Sequence, residues 1–340
     1  MDNFPINVDI FYTLLTAHPD RVKVNYVVNG LRGGFSIGFK RSTVVLKSAD
    51  TNCWSAQAHP DVIDKYLAAE IQARRVVGPF ETPPCPEIHT SRFGVIPKKG
   101  KPNSWRLILD LSFPSDHSVN DGISKSDFPV VYSTVQDAIR MIIRTGKGAL
   151  MAKVDIEKAY RIVPIRPEDR YLLGMKWRDK YFVDLALPFG LRSAPGIFNA
   201  LADLFQWILQ NNYDVADILH YLDDYFTLGP AGTPTCSNSV NAIQQASRDL
   251  GLPLAPDKCE GPTTCLIFLG IELNSVSMTA RLPTNKLTEL QSIISHWAQK
   301  KFCTRKQLES LVGKLSHACS VVAYGRTFLQ RLINLLRSSQ

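Results

Sequence analysis

The run Ile218-Leu219-His220-Tyr221-Leu222-Asp223-Asp224-Tyr225-Phe226-Thr227-Leu228 sets two adjacent aspartates between two apolar segments. Such segments flanking a short polar break predict a β-hairpin over 217–228. A two-residue hairpin turn ordinarily takes Asn-Gly or Asp-Gly, because its central residues need positive φ. An Asp-Asp pair answers to other chemistry, since side-by-side carboxylates repel each other and call for a cation. Turn preference alone accounts for either Asp singly, so the pair gains weight from a third acid.

Asp155 is that acid. It ends the apolar segment Leu150-Met151-Ala152-Lys153-Val154, inside a buried strand predicted over 149–156. Neighbouring strands would bring Asp155 beside Asp223 and Asp224. Hard oxygen ligands suit Mg2+, which takes a few carboxylates and fills its shell with water and substrate phosphates. Two such ions, about 3.5–4 Å apart, can activate a 3′-hydroxyl and neutralise a leaving pyrophosphate. A cap on the segment after the strand is the plainer role for Asp155.

Other pieces lie in the order that nucleotidyl transfer needs. Phe93–Ile96 and Trp105–Leu109 predict two strands joined by a turn-rich stretch, and Lys98, Lys99, Lys101 and Arg106 sit on that hairpin. Arg106 could grip a triphosphate through its bidentate fork. The loop Leu187-Pro188-Phe189-Gly190-Leu191-Arg192-Ser193-Ala194-Pro195 leads into a predicted helix over 194–209, and its small residues permit close approach of a base pair. Each piece alone is also explained as structure; the collinear set carries the argument.

Around this core, helical spacing is predicted over 61–77, stopped by Gly78-Pro79, and again over 134–144. A proline-rich stretch, 79–90, marks a boundary. Thr304-Arg305-Lys306-Gln307 is a capping-box pattern that opens a helix, and Phe328, Leu329, Leu332, Ile333 and Leu336 mark another. Strands mixed with helices, then a helical tail, predict an α+β fold. Three parts follow: an N-terminal extension over 1–90 with no assigned chemistry, a core over 91–280, and a helical, basic region over 281–340.

The sequence holds 39 Lys and Arg against 31 Asp and Glu, and the excess of +8 lies wholly in residues 281–340, which carry ten basic and two acidic residues. Clustered cations there, Lys300, Lys301, Arg305 and Lys306 among them, fit a polyanionic partner, while a solvated helix face is the plainer reading. Seven scattered cysteines without metal-ligand spacing read as reduced thiols in an intracellular protein, in cytoplasm or nucleus. No secretory signal is visible, and no apolar run reaches the roughly 18–20 residues a membrane crossing needs, so no membrane partner is expected.

The order Trp105-Arg106, Val154-Asp155 through Ala159-Tyr160, Leu187-Pro188-Phe189-Gly190 and Tyr221-Leu222-Asp223-Asp224 resembles a reverse transcriptase. Gly251-Leu252-Pro253-Leu254 to Lys258 and Phe268-Leu269-Gly270-Ile271 are similar to the later palm motifs of that family. The resemblance covers 91–275 closely and reaches about 337 as a thumb-like region. Phe189 in the third motif is similar to retrotransposons rather than lentiviruses. His18-Pro19-Asp20-Arg21, the stretch Gly34 to Phe39, Arg166-Pro167-Glu168-Asp169 and Gly174-Met175 resemble DIRS-type, tyrosine-recombinase retrotransposons.

The resemblance implies a right-hand polymerase of fingers, palm and thumb, with an antiparallel palm sheet, that adds dNTPs to a primer on an RNA or DNA template. It implies two Mg2+ ions, replaceable by Mn2+, held by Asp155, Asp223 and Asp224 with Ile156 in the metal set. It places Lys99 and Arg106 on the triphosphate, with Lys98 as the rival lysine. Tyr160 would gate against a 2′-hydroxyl, or else be a core tyrosine. Phe189 and Gly190 would lie near the templating pair, Tyr221 and Leu222 by the primer terminus, and Phe268, Leu269 and Gly270 in the primer grip. Lys258 would protonate pyrophosphate. The chain is expected to lack room for a ribonuclease H domain, so that a nuclease and a recombinase would be separate, element-encoded partners. A remnant that binds nucleic acid without polymerising, and an RNA-dependent RNA polymerase, are the competing functions.

Overall fold

The computed structural model describes residues 4–98, 100 and 104–338. The chain divides into two units, one of residues 1–131, 156–213 and 244–254, the other of 132–155, 214–243 and 255–340. Four helices come first: α1 (Val8–Leu14), α2 (Arg21–Gly33), α3 (Trp54–Ala58) and α4 (Pro60–Gln72). Strands β1 (Val76–Phe80), β2 (Thr90–Pro97) and β3 (Trp105–Asp110) precede α5 (Val135–Thr145) and β4 (Leu150–Asp155). Then follow β5 (Gly174–Trp177), β6 (Lys180–Asp184), α6 (Ala194–Asn212), β7 (Ile218–Tyr221), β8 (Asp224–Gly229) and α7 (Thr235–Leu250). Strands β9 (Glu260–Thr263), β10 (Cys265–Phe268), β11 (Ile271–Asn274) and β12 (Thr279–Arg281) lead to α8 (Thr284–Ala298), α9 (Arg305–Ala318) and α10 (Gly325–Ser338).

The first unit contains a five-stranded sheet in the order β1-β6-β5-β2-β3, antiparallel except for the β2–β5 pair. Here one expectation is corrected. The helix predicted over 61–77 ends at Gln72, and Val76 and Val77 pair with Asp184 and Val183, respectively, in β6. Arg74 turns the chain at φ 56, and the β-branched pair beyond it suits a pleated surface better than another helical turn. Gly78-Pro79 therefore sits inside a strand.

His89 is buried in this unit, and neither ring nitrogen has a hydrogen-bond partner among the described residues. Burial drops its pKa from 6.5 to about 4. The unfolded chain then takes up a proton near pH 6.5 that the folded chain refuses until about 4. Stability is thus whole above pH 6.5 and falls as the pH drops through that window, by about 3 kcal/mol at its lower end. Urea titrations at pH 7.5 and 4.5 should show a smaller acid loss for His89→Leu than for the unaltered chain; equal losses would overturn the prediction.

The second unit holds an antiparallel four-stranded sheet in the order β7-β8-β4-β9 and a three-stranded sheet, β10-β11-β12. Side chains alternate across a strand, and the register sets Met151 opposite Leu228, Lys153 opposite Phe226, and Asp155 opposite Asp224. Phe226, Leu228, Met151 and Leu219 enter one core with Phe268, Ile271 and Leu273. Asp155 and Asp224 continue that face to its rim. Helix α5 covers part of the same core with Val135, Ala138, Met141 and Ile142. It starts at a Thr134–Asp137 capping box and stops at Gly146, whose φ of 103 admits no other residue easily. The Thr304–Gln307 capping box opens α9 as predicted.

Candidate active site

Two strand ends and one turn bring the three acids of the second unit together. Asp155 closes β4 directly opposite Asp224, the first residue of β8. Tyr221 and Asp224 are paired, which leaves Leu222 and Asp223 as the turn. Leu222 carries the positive φ, 55, that such a turn demands, a conformation uncommon for a leucine and found preferentially at functional sites. The hairpin therefore accepts local strain at Leu222 to hold Asp223 in the turn, next to the strand start at Asp224.

The electrostatics are those of a crowded acidic cluster. Burial, then the charges of Asp223 and Asp155 and a hydrogen bond with Asp155, raise Asp224 to about 6. Asp223 is raised as well, by burial first and by Asp155 next, with Lys258 opposing. Lys258 Nζ donates to Asp155 Oδ1 at 2.7 Å. Partial burial pulls its pKa down, but that bond and the surrounding carboxylates outweigh it and hold the ammonium above its usual value. The donor set suits a hard divalent cation, because carboxylates that resist sharing a small space ionise together only beside positive charge. Among the described residues no three His, Cys, Asp or Glu side chains already close on one point. Lys258 meanwhile supplies the compensating charge at Asp155. Ile156 is buried, and since its side chain is hydrocarbon, its only ligand atom is the main-chain carbonyl.

Beside the turn, the Tyr221 ring stacks on Tyr132, with centroids 5.0 Å apart and planes at 28°. Phe268 is buried against Phe226, while Leu269 and Gly270, at φ 47 and 77, form the tight turn between β10 and β11. Two groups from the helical region reach this turn: His317 Nε2 lies 3.0 Å from the Leu269 carbonyl, and Lys286 Nζ donates to that of Gly270 at 3.2 Å. Lys300, Lys301, Arg305 and Lys306 are on or beside α9; Lys300 donates to Gln307 and Arg305 pairs with Glu309. Lys301 and Lys306 are exposed.

In the first unit, β2 and β3 form the predicted hairpin, closed by Lys98 N donating to Ser104 O at 2.7 Å. Lys98 and Arg106 are exposed on it; Lys99 and Lys101 lie outside the described residues. Tyr160 packs on Phe189 and Phe198, with centroids 5.0 and 5.6 Å away. Phe189 is 58% exposed. Gly190 adopts φ 90, and a Cβ there would approach the Leu109 carbonyl at 3.2 Å.

Sequence reasoning missed what holds these pieces. Buried Asn120 donates to the Gly190 carbonyl at 2.9 Å and accepts from Arg192 N at 2.7 Å, so one amide sets the loop. Buried Arg161 joins Glu70 and Asp184 in ion pairs of 2.7 Å each. Nothing in an isolated Asn or Arg announces such a partner; the only local sign was the Ser118–Asp121 capping box around Asn120.

Acids on adjacent tips of an antiparallel sheet, followed by a helical region, define an α+β fold of the right-hand polymerase class. Solved structures share it: a foamy viral protease-reverse transcriptase in complex with RNA/DNA hybrid aligns with 100% of this chain and 44% of its own at TM-score 0.64 and 15% identity. The same enzyme's dRH form in complex with double-stranded DNA gives 0.62, also at 15% identity, over 57% of its own length. The chain belongs to the reverse transcriptase family, whose description reads "Reverse transcriptase (RNA-dependent DNA polymerase)" and which matches residues 96–273, just over half the sequence. Among curated relatives, Polyprotein P3 of Commelina yellow mottle virus is 23% identical over 65% of this chain and 10% of its own. The Tf2-3 transposon polyprotein of Schizosaccharomyces pombe is 20% identical over 58% and 14%. The Pol polyprotein from transposon 297 of Drosophila melanogaster is 24% identical over 52% and 16%. The chain thus spans between a tenth and a sixth of these relatives' length.

Proposed function

We propose that this chain is an RNA-directed DNA polymerase of a retroelement, extending a primer with dNTPs on an RNA or DNA template. The pairing of Asp155 with Asp224 across two strand tips, with Asp223 in the turn between β7 and β8, carries the reading. Asp155, Asp223, Asp224 and the Ile156 carbonyl would hold divalent metal, Mg2+ or Mn2+. When bound, two such ions supply activation of the primer 3′-hydroxyl and charge neutralisation at the leaving pyrophosphate.

The chain's own residues do the remaining work. Lys98, Lys99 and Arg106 bind the triphosphate; Tyr160 excludes a 2′-hydroxyl, with Phe189 and Gly190 shaping the pocket beside it. Tyr221, backed by Tyr132, orients the primer end, and Phe268, Leu269 and Gly270 support it from the next turn. Lys258 lies within hydrogen-bond reach of Asp155, where it can hold a proton for the leaving group. Residues 281–340 act as a thumb. The decisive assay is extension of a primed RNA with dNTPs under Mg2+ or Mn2+. Incorporation supports the reading; a preference for ribonucleotides, or binding without incorporation, overturns it.

The matches at His18–Arg21, Gly34–Phe39, Arg166–Asp169 and Gly174-Met175 support a DIRS-type element, with a recombinase and a nuclease as companion proteins inside the cell. A retroviral-type integrase encoded beside this chain would overturn that subtype.

Substituting Lys300, Lys301, Arg305 and Lys306 together by Gln should weaken primer–template binding and flatten its salt dependence. Each phosphate contact contributes about 0.9 to the slope of log K against log salt. Arg305 and Lys300 already have side-chain partners, so a loss of about 2 to 4 in slope is expected. An unchanged slope returns these charges to a solvated helix face.

A further inference from the structure

The first unit buries a closed charge network that none of the roles above uses. Arg161 is 3% exposed, Glu70 5% and Asp184 0%. Arg161 donates through Nε and Nη2 to Glu70 Oε2, at 2.9 and 2.7 Å, and through Nη1 to Asp184 Oδ2 at 2.9 Å. Arg75 donates to the same Glu70 carboxylate at 2.8 and 2.7 Å, so two cations balance two anions. An unpaired charge at such a depth would be costly.

The network ends on the nucleotide-pocket segments. Arg161 follows Tyr160 within one short helical turn, Ala159–Ile162. Its Nη1 also donates to the Ala186 carbonyl at 3.1 Å and approaches that of Leu187 at 3.5 Å, the two residues just before Pro188-Phe189-Gly190. A single guanidinium therefore ties the turn bearing Tyr160 to the strand exit bearing Phe189, whose rings meet at 5.0 Å. Glu70, on α4 in the N-terminal extension, accepts two of the donors on that guanidinium and sets its plane.

We infer that Glu70 and Arg161 are positioning residues that set nucleotide selection, making α4 of the N-terminal extension a working part of the dNTP pocket. The inference rests on the polymerase reading. Glu70→Gln keeps the size, removes the charge and leaves Arg161 to turn toward Asp184, loosening its hold on the Ala186 and Leu187 carbonyls.

The test is single-nucleotide incorporation by the full chain on a primed RNA, with KM and kcat for a dNTP and the matching rNTP. Glu70→Gln should raise KM for the dNTP and lower the dNTP-over-rNTP preference by about tenfold each, with a much smaller change in kcat. Glu70→Asp, which keeps the charge but shortens the reach, should fall between. A purely structural network would lower the Tm and the active fraction without moving KM or preference. Wild-type KM and preference in Glu70→Gln overturn the inference, and if that variant does not fold, the same values in Glu70→Asp overturn it. Failure of the unaltered chain to incorporate any nucleotide overturns the polymerase reading itself.

Discussion

Asp223→Ala is expected to abolish nucleotide incorporation while leaving the fold and primer–template binding in place. The separation follows from where Asp223 sits. It occupies a turn, not the core, and burial and Asp155 both push its pKa upward, so its charge is held at a cost in the folded chain. Removing it relieves repulsion on Asp224, and the Tm should be unchanged or slightly higher. Catalysis has no such reserve. A carboxylate that helps hold metal is asked for several kcal/mol of transition-state stabilisation, and about 1.4 kcal/mol is tenfold in rate. A fall of about a thousandfold or more is expected. The measurement is primer extension beside a binding titration and a melting curve. Incorporation at the unaltered rate would sink the assignment of this turn as the active site; loss of folding together with activity would show that the turn is structural.

The largest stability effect is expected at Phe226. It is fully buried two residues beyond Asp224 on the same face of β8, and its ring lies 5.0 Å from that of Phe268. Phe226→Ala removes a side chain on which the four-stranded and three-stranded sheets both pack, and such truncations cost about 3–5 kcal/mol. The urea midpoint of the unit should drop accordingly, with Phe226→Leu losing far less. Because Asp224 and Phe226 share a face, the cavity also weakens the support under the acidic rim, so incorporation should fall even at temperatures where the variant stays folded. A stability loss under about 1 kcal/mol would mean that this face is not the core of the unit.

Much of this architecture is legible in local sequence because it depends on local rules. Apolar runs around Asp223-Asp224 specify a hairpin, Thr134 and Thr304 announce helix starts, and the Phe93–Ile96 and Trp105–Leu109 segments pair as their composition suggests. Val76 and Val77 are the exception: the apolar helical stripe ends at Ile71, and β6 supplies the two valines with a strand partner that no local pattern records. Propensity is a weak prior where a long-range pairing competes.

The identity of the three acids, their order and the basic excess of residues 281–340 are properties of the sequence alone. Which acids meet is not: the register of β4 on β8 sets Asp155 against Asp224, and a slip of one residue would send it to the other face. Tertiary structure alone decided that Lys258 pairs with Asp155, that Asn120 holds the Gly190 loop, and that Glu70 reaches Arg161 across 91 residues of sequence. The physical reason is common to all three. A buried polar group must find a partner wherever the fold provides one, and no local pattern records a partner brought in from a distant part of the chain.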